Sequence, residues 1–269
     1  MTTLQSLMRP PGGRQPPIWR EGRLGLELAR LLRDPIYRGR GVSDAAGQPV
    51  LLIPGFLAGD DSLGVMTKWL RRTGHHTSSA GMRINIDCSA AAAERLEERL
   101  EQLAERQGRR VAIVGQSRGG HFAKVLAGRR PELVSGIVTL GSPQLDPFAI
   151  NPLVRASIVV VGAIGTLGAR GVFRRSCLVG DCCTSFWEEF ERPFPSGVGY
   201  VSLYSKSDGI VDWRACLDPE AKQREIDASH IGMGVNREVY REIARALRRF
   251  RRAGAPVARP RRSGLRKAA

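Results

Sequence analysis

Apolar residues along the chain follow two alternating rhythms. Short continuous runs, VLLI (50–53), VAIV (111–114) and GIVTL (136–140), have the unbroken hydrophobicity of strands buried on both faces. Stretches with apolar positions three and four apart occupy 21–34, 62–74, 91–108, 121–133 and 237–250, and read as amphipathic helices. The clearest is 91–108, where Leu96, Leu100 and Leu103 form one stripe and Gly108 supplies a C-terminal stop. Strands are predicted over 48–56, 75–89 (with its exit loop), 109–120, 135–143 and 198–212, the third breaking sharply at Gly115. Strands alternating with helices imply an α/β fold, with a mostly parallel central sheet and helices on both faces.

Residues 144–196 interrupt the alternation. Within them, 156–169 is a Gly-broken apolar stretch flanked by Arg155 and Arg170. It is too short to cross a bilayer and reads as an insertion over the edge of the sheet. The predicted organisation is a basic N-terminal segment with one helix (1–47), an α/β domain (48–250) with a lid-like insertion (144–196), and a disordered basic tail (251–269).

Composition narrows the class. A chain of 269 residues that is 42% hydrophobic can bury a substantial core, which excludes wholesale disorder. No run reaches the roughly 18–20 apolar residues of a membrane span. The opening residues lack the apolar segment of a signal peptide, so a cytoplasmic location is expected, peripheral to the membrane if the tail touches anionic lipid. The formal charge of +16 is uneven: nine basic and no acidic residues lie from Arg248 onward, and eight Arg face only Glu21, Glu27 and Asp34 in the first 40. The middle of the chain is nearly neutral. Basic ends of this kind either make weak contact with an anionic membrane or are simply solvated. No nucleic-acid-binding motif accompanies them, so no specific nucleic acid is expected.

The candidate chemistry begins at Gly115-Gln116-Ser117-Arg118-Gly119, a G-x-S-x-G pattern. The bare pattern is weak, but it directly follows an apolar strand and opens an amphipathic helix. A tight strand-to-helix turn there would expose the serine, with glycines where side chains would clash. A serine hydroxyl needs a base. Of the four histidines, His75 and His76 lie upstream, and His121 sits four residues into the helix after the serine. His230 lies in a loop between the last strand and last helix, where a base could reach the serine. The base needs an acid to orient it: Asp208 comes first after the strand that precedes it, with Asp212 the rival. Two backbone N–H groups for an oxyanion would come from Arg118 and from Phe56 in the loop after the first strand, with Leu57 as the alternative.

With LLIPGF (51–56), VAIVGQSRGGHFAKVLAGRRPELVSGIVTLGSP (111–143), YSKSDGIVDWRACLDP (204–219) and SHIGMGVN (229–236) in that order, the chain resembles the α/β-hydrolase family, and within it the lipase- and esterase-like members of actinobacteria. The resemblance covers about residues 48 to 250. It implies that Ser117, Asp208 and His230 form a catalytic triad and that Phe56 and Arg118 form the oxyanion hole. The implied reaction is cleavage of a small-molecule ester or lipid through an acyl-enzyme, with no metal or organic cofactor. The elbow departs from the commoner form, which has His before the serine and Met or Leu after it. Gln116 is expected to change little, and the Arg118 side chain to face a partner or solvent. Two other readings use the same residues: an acyltransferase, and a non-catalytic lipid- or membrane-binding protein of the same fold.

Cys177, Cys182, Cys183 and Cys216 cluster in and after the insertion, and Cys88 stands apart. CLVGDCC has no familiar zinc-ligand spacing and no His partner. Disulfides (Cys177 with Cys182 or Cys183, Cys216 in another) or buried free thiols are the two expectations. The insertion, with Phe186, Trp187, Phe190 and Phe194, either roofs an acyl-binding pocket or merely packs itself onto the sheet.

Overall fold

Strands that are apolar on every residue must be covered on both faces, and the chain is built accordingly. In the computed structural model, which describes residues 16–179 and 181–253, six strands form one sheet. They are β1 (Pro49–Ile53), β2 (His76–Ser79), β3 (Val111–Gln116), β4 (Val134–Leu140), β5 (Gly199–Tyr204) and β6 (Lys222–Glu225). The order is β2-β1-β3-β4-β5-β6, and every neighbouring pair is parallel. The chain steps outward from β1 to β2 and then returns to the other side of β1 for β3. Such a reversal opens a crevice at the carboxyl ends of β1 and β3.

The helices are α1 (Leu24–Arg33), α2 (Gly64–Arg72), α3 (Ser89–Gln107), α4 (Arg118–Arg129), α5 (Pro152–Thr166), α6 (Thr184–Glu191) and α7 (Arg237–Ala253). Successive strand side chains point to opposite faces, which divides the core in two. Val50, Leu52, Val114, Val138 and Leu203 meet α1, α2 and α7. Leu51, Ile53, Ile113, Ile137 and Tyr200 meet α3, α4 and α6. The predicted stripe on α3 is buried as expected, and Gly108 caps the helix at φ 61°.

Several boundaries differ from the pattern. β3 runs on through Gln116 and breaks at Ser117, and α4 begins at Arg118, so the motif spans the strand end, the turn and the first two helical residues. β6 was not foreseen because KQRE has no apolar rhythm. As an edge strand it needs only the backbone ladder to β5, and its charges discourage further pairing. Residues 16–47, which the pattern sets apart from the domain, pack onto it through α1, with Leu31 fully buried in the core. α7 continues three residues past the expected end, to Ala253. The rest of the predicted tail, and residues 1–15, lie outside the described residues. Among the described residues, no helix is long and apolar enough to cross a membrane.

The insertion lies over the carboxyl ends of the strands. Its entry is stitched to the loop after β5: Asn151 N–H donates to Ile210 O at 2.7 Å, and Asp212 N–H to Ala149 O at 2.8 Å. Truncating Leu100, which has no solvent exposure, to alanine is expected to lower stability by roughly 2–5 kcal/mol. In urea unfolding this appears as a lower midpoint at an unchanged slope.

Candidate active site

The turn between β3 and α4 places Ser117 in an unusual backbone conformation, φ 52° and ψ −122°. A non-glycine residue there costs about 1–3 kcal/mol and persists only where its surroundings impose the conformation, and here they do. Ser117 N–H donates to Leu140 O at 2.8 Å, and Ser117 O accepts from Gly120 N–H at 2.9 Å. A Cβ on Gly115 would lie 2.4 Å from Gly119 O, and one on Gly119 would lie 2.2 Å from Ile53 O. Only glycine fits either position, so the motif glycines are steric requirements of the turn.

Asp208 and His230 are both buried and meet directly, with Asp208 Oδ2 2.7 Å from His230 Nδ1. The other carboxylate oxygen accepts the N–H groups of Ile210 (2.8 Å) and Val211 (2.7 Å). The carboxylate is thereby locked in orientation and aims one oxygen at the ring. Burial works against the imidazolium, but the charge and hydrogen bond of Asp208, with Glu21 adding, outweigh it. His230 therefore titrates above the ordinary imidazole value. The rival Asp212 is used elsewhere: its Oδ1 accepts from Arg214 N–H at 3.0 Å and caps the turn Trp213–Cys216.

The other histidines have structural partners. His121 lies against Pro143 O and edge-on to Phe190, and burial pushes its pKa down to about 3. His75, hydrogen-bonded near Thr73 and Leu70, is pushed down to about 4. His76 meets Gln107.

Gln116 has a defined partner in the fold. It is buried, and its Nε2 donates to His230 O at 3.0 Å, tying the histidine loop to the residue before Ser117. Arg118 faces neither solvent nor an open surface. Its guanidinium folds back to donate to Asn85 O and Oδ1 (3.1 and 3.0 Å), Asp87 O (2.6 Å) and Ser89 Oγ (3.0 Å). Burial draws it down to about 10, so it stays cationic at neutral pH. Asn85, fully buried, in turn donates from its side chain to Pro54 O and from its N–H to Ala58 O, both at 2.8 Å. One network thus braces the loop that carries Phe56 against the start of α4. Phe56 and Arg118 line the same cavity as Ser117, while Leu57 is exposed.

Two residues essential to this geometry had no sequence signal. Glu21 accepts the N–H groups of Gly209 and His230, each at 3.0 Å, and of Ile231 at 2.8 Å. Glu27 accepts Ser229 N–H at 2.8 Å and its hydroxyl at 2.7 Å. Glutamates in an amphipathic segment ordinarily face water. Their scarcity in an arginine-rich stretch was the one available hint.

The cavity over Ser117 is walled by apolar side chains of the insertion, among them Ile150, Val154, Ile158 and Trp187. Of the four aromatics expected to roof it, only Trp187 does. Phe186 and Phe190 are buried against α3 and α4, and Phe194 packs on Tyr200 with ring centroids 4.7 Å apart. Those three pack the insertion onto the α/β domain.

No protein-family model matches the chain. Among solved structures it is similar to the mature form of the Bacillus licheniformis lipase BlEst2, at 15% identity and TM-score 0.56, over 77% of this chain and 94% of that one. It is also similar to a soluble variant of monoglyceride lipase from Saccharomyces cerevisiae in complex with a substrate analog, at 11% identity and TM-score 0.55, over 81% and 89%. A third is one of the metagenome-derived lipolytic enzymes LipS and LipT, at 13% identity and TM-score 0.52, over 78% and 96%. At such identities the likeness is one of fold. The chain has the α/β-hydrolase fold, and these neighbours are lipases and lipolytic enzymes.

Replacing Asp208 with asparagine removes the charge that opposes burial, so the pKa of His230 is expected to fall. An NMR titration of the His230 ring proton checks this. A curve that does not move would mean that Asp208 is not what raises the imidazole.

Proposed function

We propose that the protein is a serine hydrolase that cleaves carboxylic esters through an acyl-enzyme. The observation that carries this is Ser117, held at φ 52° on the floor of an apolar cavity, with the loop of the buried Asp208–His230 pair tied beside it through Gln116. In this reading Ser117 Oγ attacks the carbonyl carbon while His230 takes its proton. Asp208 holds the ring in the tautomer that leaves Nε2 free to act. The N–H groups of Phe56 and Arg118 receive the oxyanion. His230 then returns the proton to the leaving alkoxide, and a water activated by the same nitrogen releases the acid.

An acyl chain rather than a small polar acid is the substrate this cavity supports best, because its walls are mostly apolar. α5 adds a second indication. It presents Leu153, Val159, Val160 and Ile164 to solvent, between 47% and 63% exposed, on the same helix whose Val154 and Ile158 line the cavity. That exposed face supports contact with a lipid surface, to which the basic ends would add weak attraction. The narrower placement among actinobacterial lipase-like enzymes rests on the sequence motifs alone.

A fluorophosphonate probe is expected to label the wild type and not Ser117→Ala, and the wild type is expected to turn over medium-chain or longer p-nitrophenyl esters. Asp208→Asn is expected to reduce kcat by about 10⁴-fold, the scale seen when the orienting acid of such a triad is lost. Hydrolysis at limiting substrate should rise with pH as His230 loses its proton, with a midpoint above the ordinary imidazole value of about 6.5. Folded wild type that resists the probe and cleaves no ester would move the non-catalytic lipid-binding reading to the front.

A further inference from the structure

The cysteine that stood apart in the sequence does not stand apart in the fold. Cys88 caps the start of α3 on the α/β core, 94 residues before Cys182. Its sulfur meets those of Cys182 and Cys183, each at 3.4 Å, and Cys182 meets Cys177 at 3.4 Å. All four sulfurs lie within 4.8 Å of one another. Cys216, which the sequence pattern grouped with the insertion, is not among them. It is buried with Ile150 and Val211.

We infer that Cys88, Cys177, Cys182 and Cys183 hold one thiophilic divalent metal ion, zinc, in tetrahedral thiolate coordination, and that this ion pins the insertion over the cavity to the α/β core. A zinc–sulfur bond of about 2.3 Å sets the edge of an S₄ tetrahedron at about 3.8 Å. Three separations of 3.4 Å, with none above 4.8 Å, suit that edge. The contacts run Cys183–Cys88–Cys182–Cys177, so the two inner sulfurs each have two neighbours, which isolated pairs do not. Four soft sulfur donors, with no imidazole or carboxylate joining them among the described residues, select zinc-like ions over magnesium or calcium. With all four positions filled by protein the site is closed, which is the structural and not the catalytic form.

The surroundings suit the charge. Binding would release four thiol protons and leave a net charge of about −2 on the centre. The Arg118 guanidinium donates to Asp87 O at 2.6 Å and Ser89 Oγ at 3.0 Å, the residues on either side of Cys88. The site also adjoins the cavity, since Cys177 is part of its lining. A metal there would hold the wall formed by Phe173, Cys177 and Leu178 in place without touching the reacting atoms. The spacing CLVGDCC did not suggest this because one ligand comes from the far side of the fold.

The test uses the full chain purified under reducing conditions. Elemental analysis is expected to find about one zinc per chain, and cobalt exchanged into the site should give the intense visible bands of a tetrahedral tetrathiolate. Cys88→Ser and Cys182→Ser should abolish those bands, whereas Cys216→Ser should keep them. Chelator treatment of the wild type should speed proteolytic cleavage between 170 and 191 at least several-fold. Folded wild type that holds no zinc and gives no tetrathiolate cobalt spectrum overturns the proposal. So does a non-reduced preparation in which a single thiol of the five titrates after denaturation, because the four would then be two disulfides. None of these readouts depends on ester turnover, so the metal site and the hydrolase reading stand or fall separately.

Discussion

The backbone turn at Ser117 is where the molecule is most constrained, and much of the rest is arranged to impose it. A serine at φ 52° persists only if relaxation is blocked on every side. β4 blocks it through the Leu140 carbonyl, α4 through the contact of Gly115 with Gly119, and β1 through the approach of Gly119 to Ile53 O. Three adjacent parallel strands and one helix must therefore be in register before the serine can be held. The same three strands bound the crevice at the carboxyl edge. The side chain is thus presented where the loops after β1, β4 and β5 converge.

Around that turn, buried charge does the positioning. Asp208 spends one oxygen on two backbone N–H groups and the other on His230. Glu21 binds the Asp208 loop and the His230 loop at once, so Asp208 and His230 are set relative to each other by a second carboxylate. All three acidic residues of the first 40 point inward: Glu21, Glu27 and Asp34, the last hydrogen-bonded to Arg241 at 2.7 Å. The exposed face of this segment is accordingly more basic than its net charge. On the other side of the serine, the Arg118 guanidinium braces the Phe56 loop through Asn85, so side chain and backbone of one residue bear on the same small volume.

The insertion is anchored at both ends and divided in purpose. Its entry is bonded to the loop after β5, and α6 is buried against α3 and α4 through Phe186 and Phe190. Between these anchors α5 and Trp187 wall the cavity, and α5 leaves an apolar face in solvent. The four sulfurs lie where the insertion crosses back over the start of α3.

By itself the sequence determined the elements whose burial is periodic. The apolar runs of β1, β3 and β4 and the stripe of α3 state which residues are inside, because burial is a local property repeated every two or every three to four residues. The turn at Ser117 was legible for a related reason, since its glycines are required by contacts within one strand–helix unit and with the strand beside it. Asp208 and His230 were legible, from loops at the right point of the chain order, as an acid and the histidine it orients. Tertiary structure alone decided what depends on distant partners: the bonds from Glu21 to a loop 209 residues away, the inward turn of Arg118, the edge strand β6, and the meeting of Cys88 with the insertion. None of these leaves a local rhythm. A lone polar residue reads as solvent-facing until the fold brings it a partner.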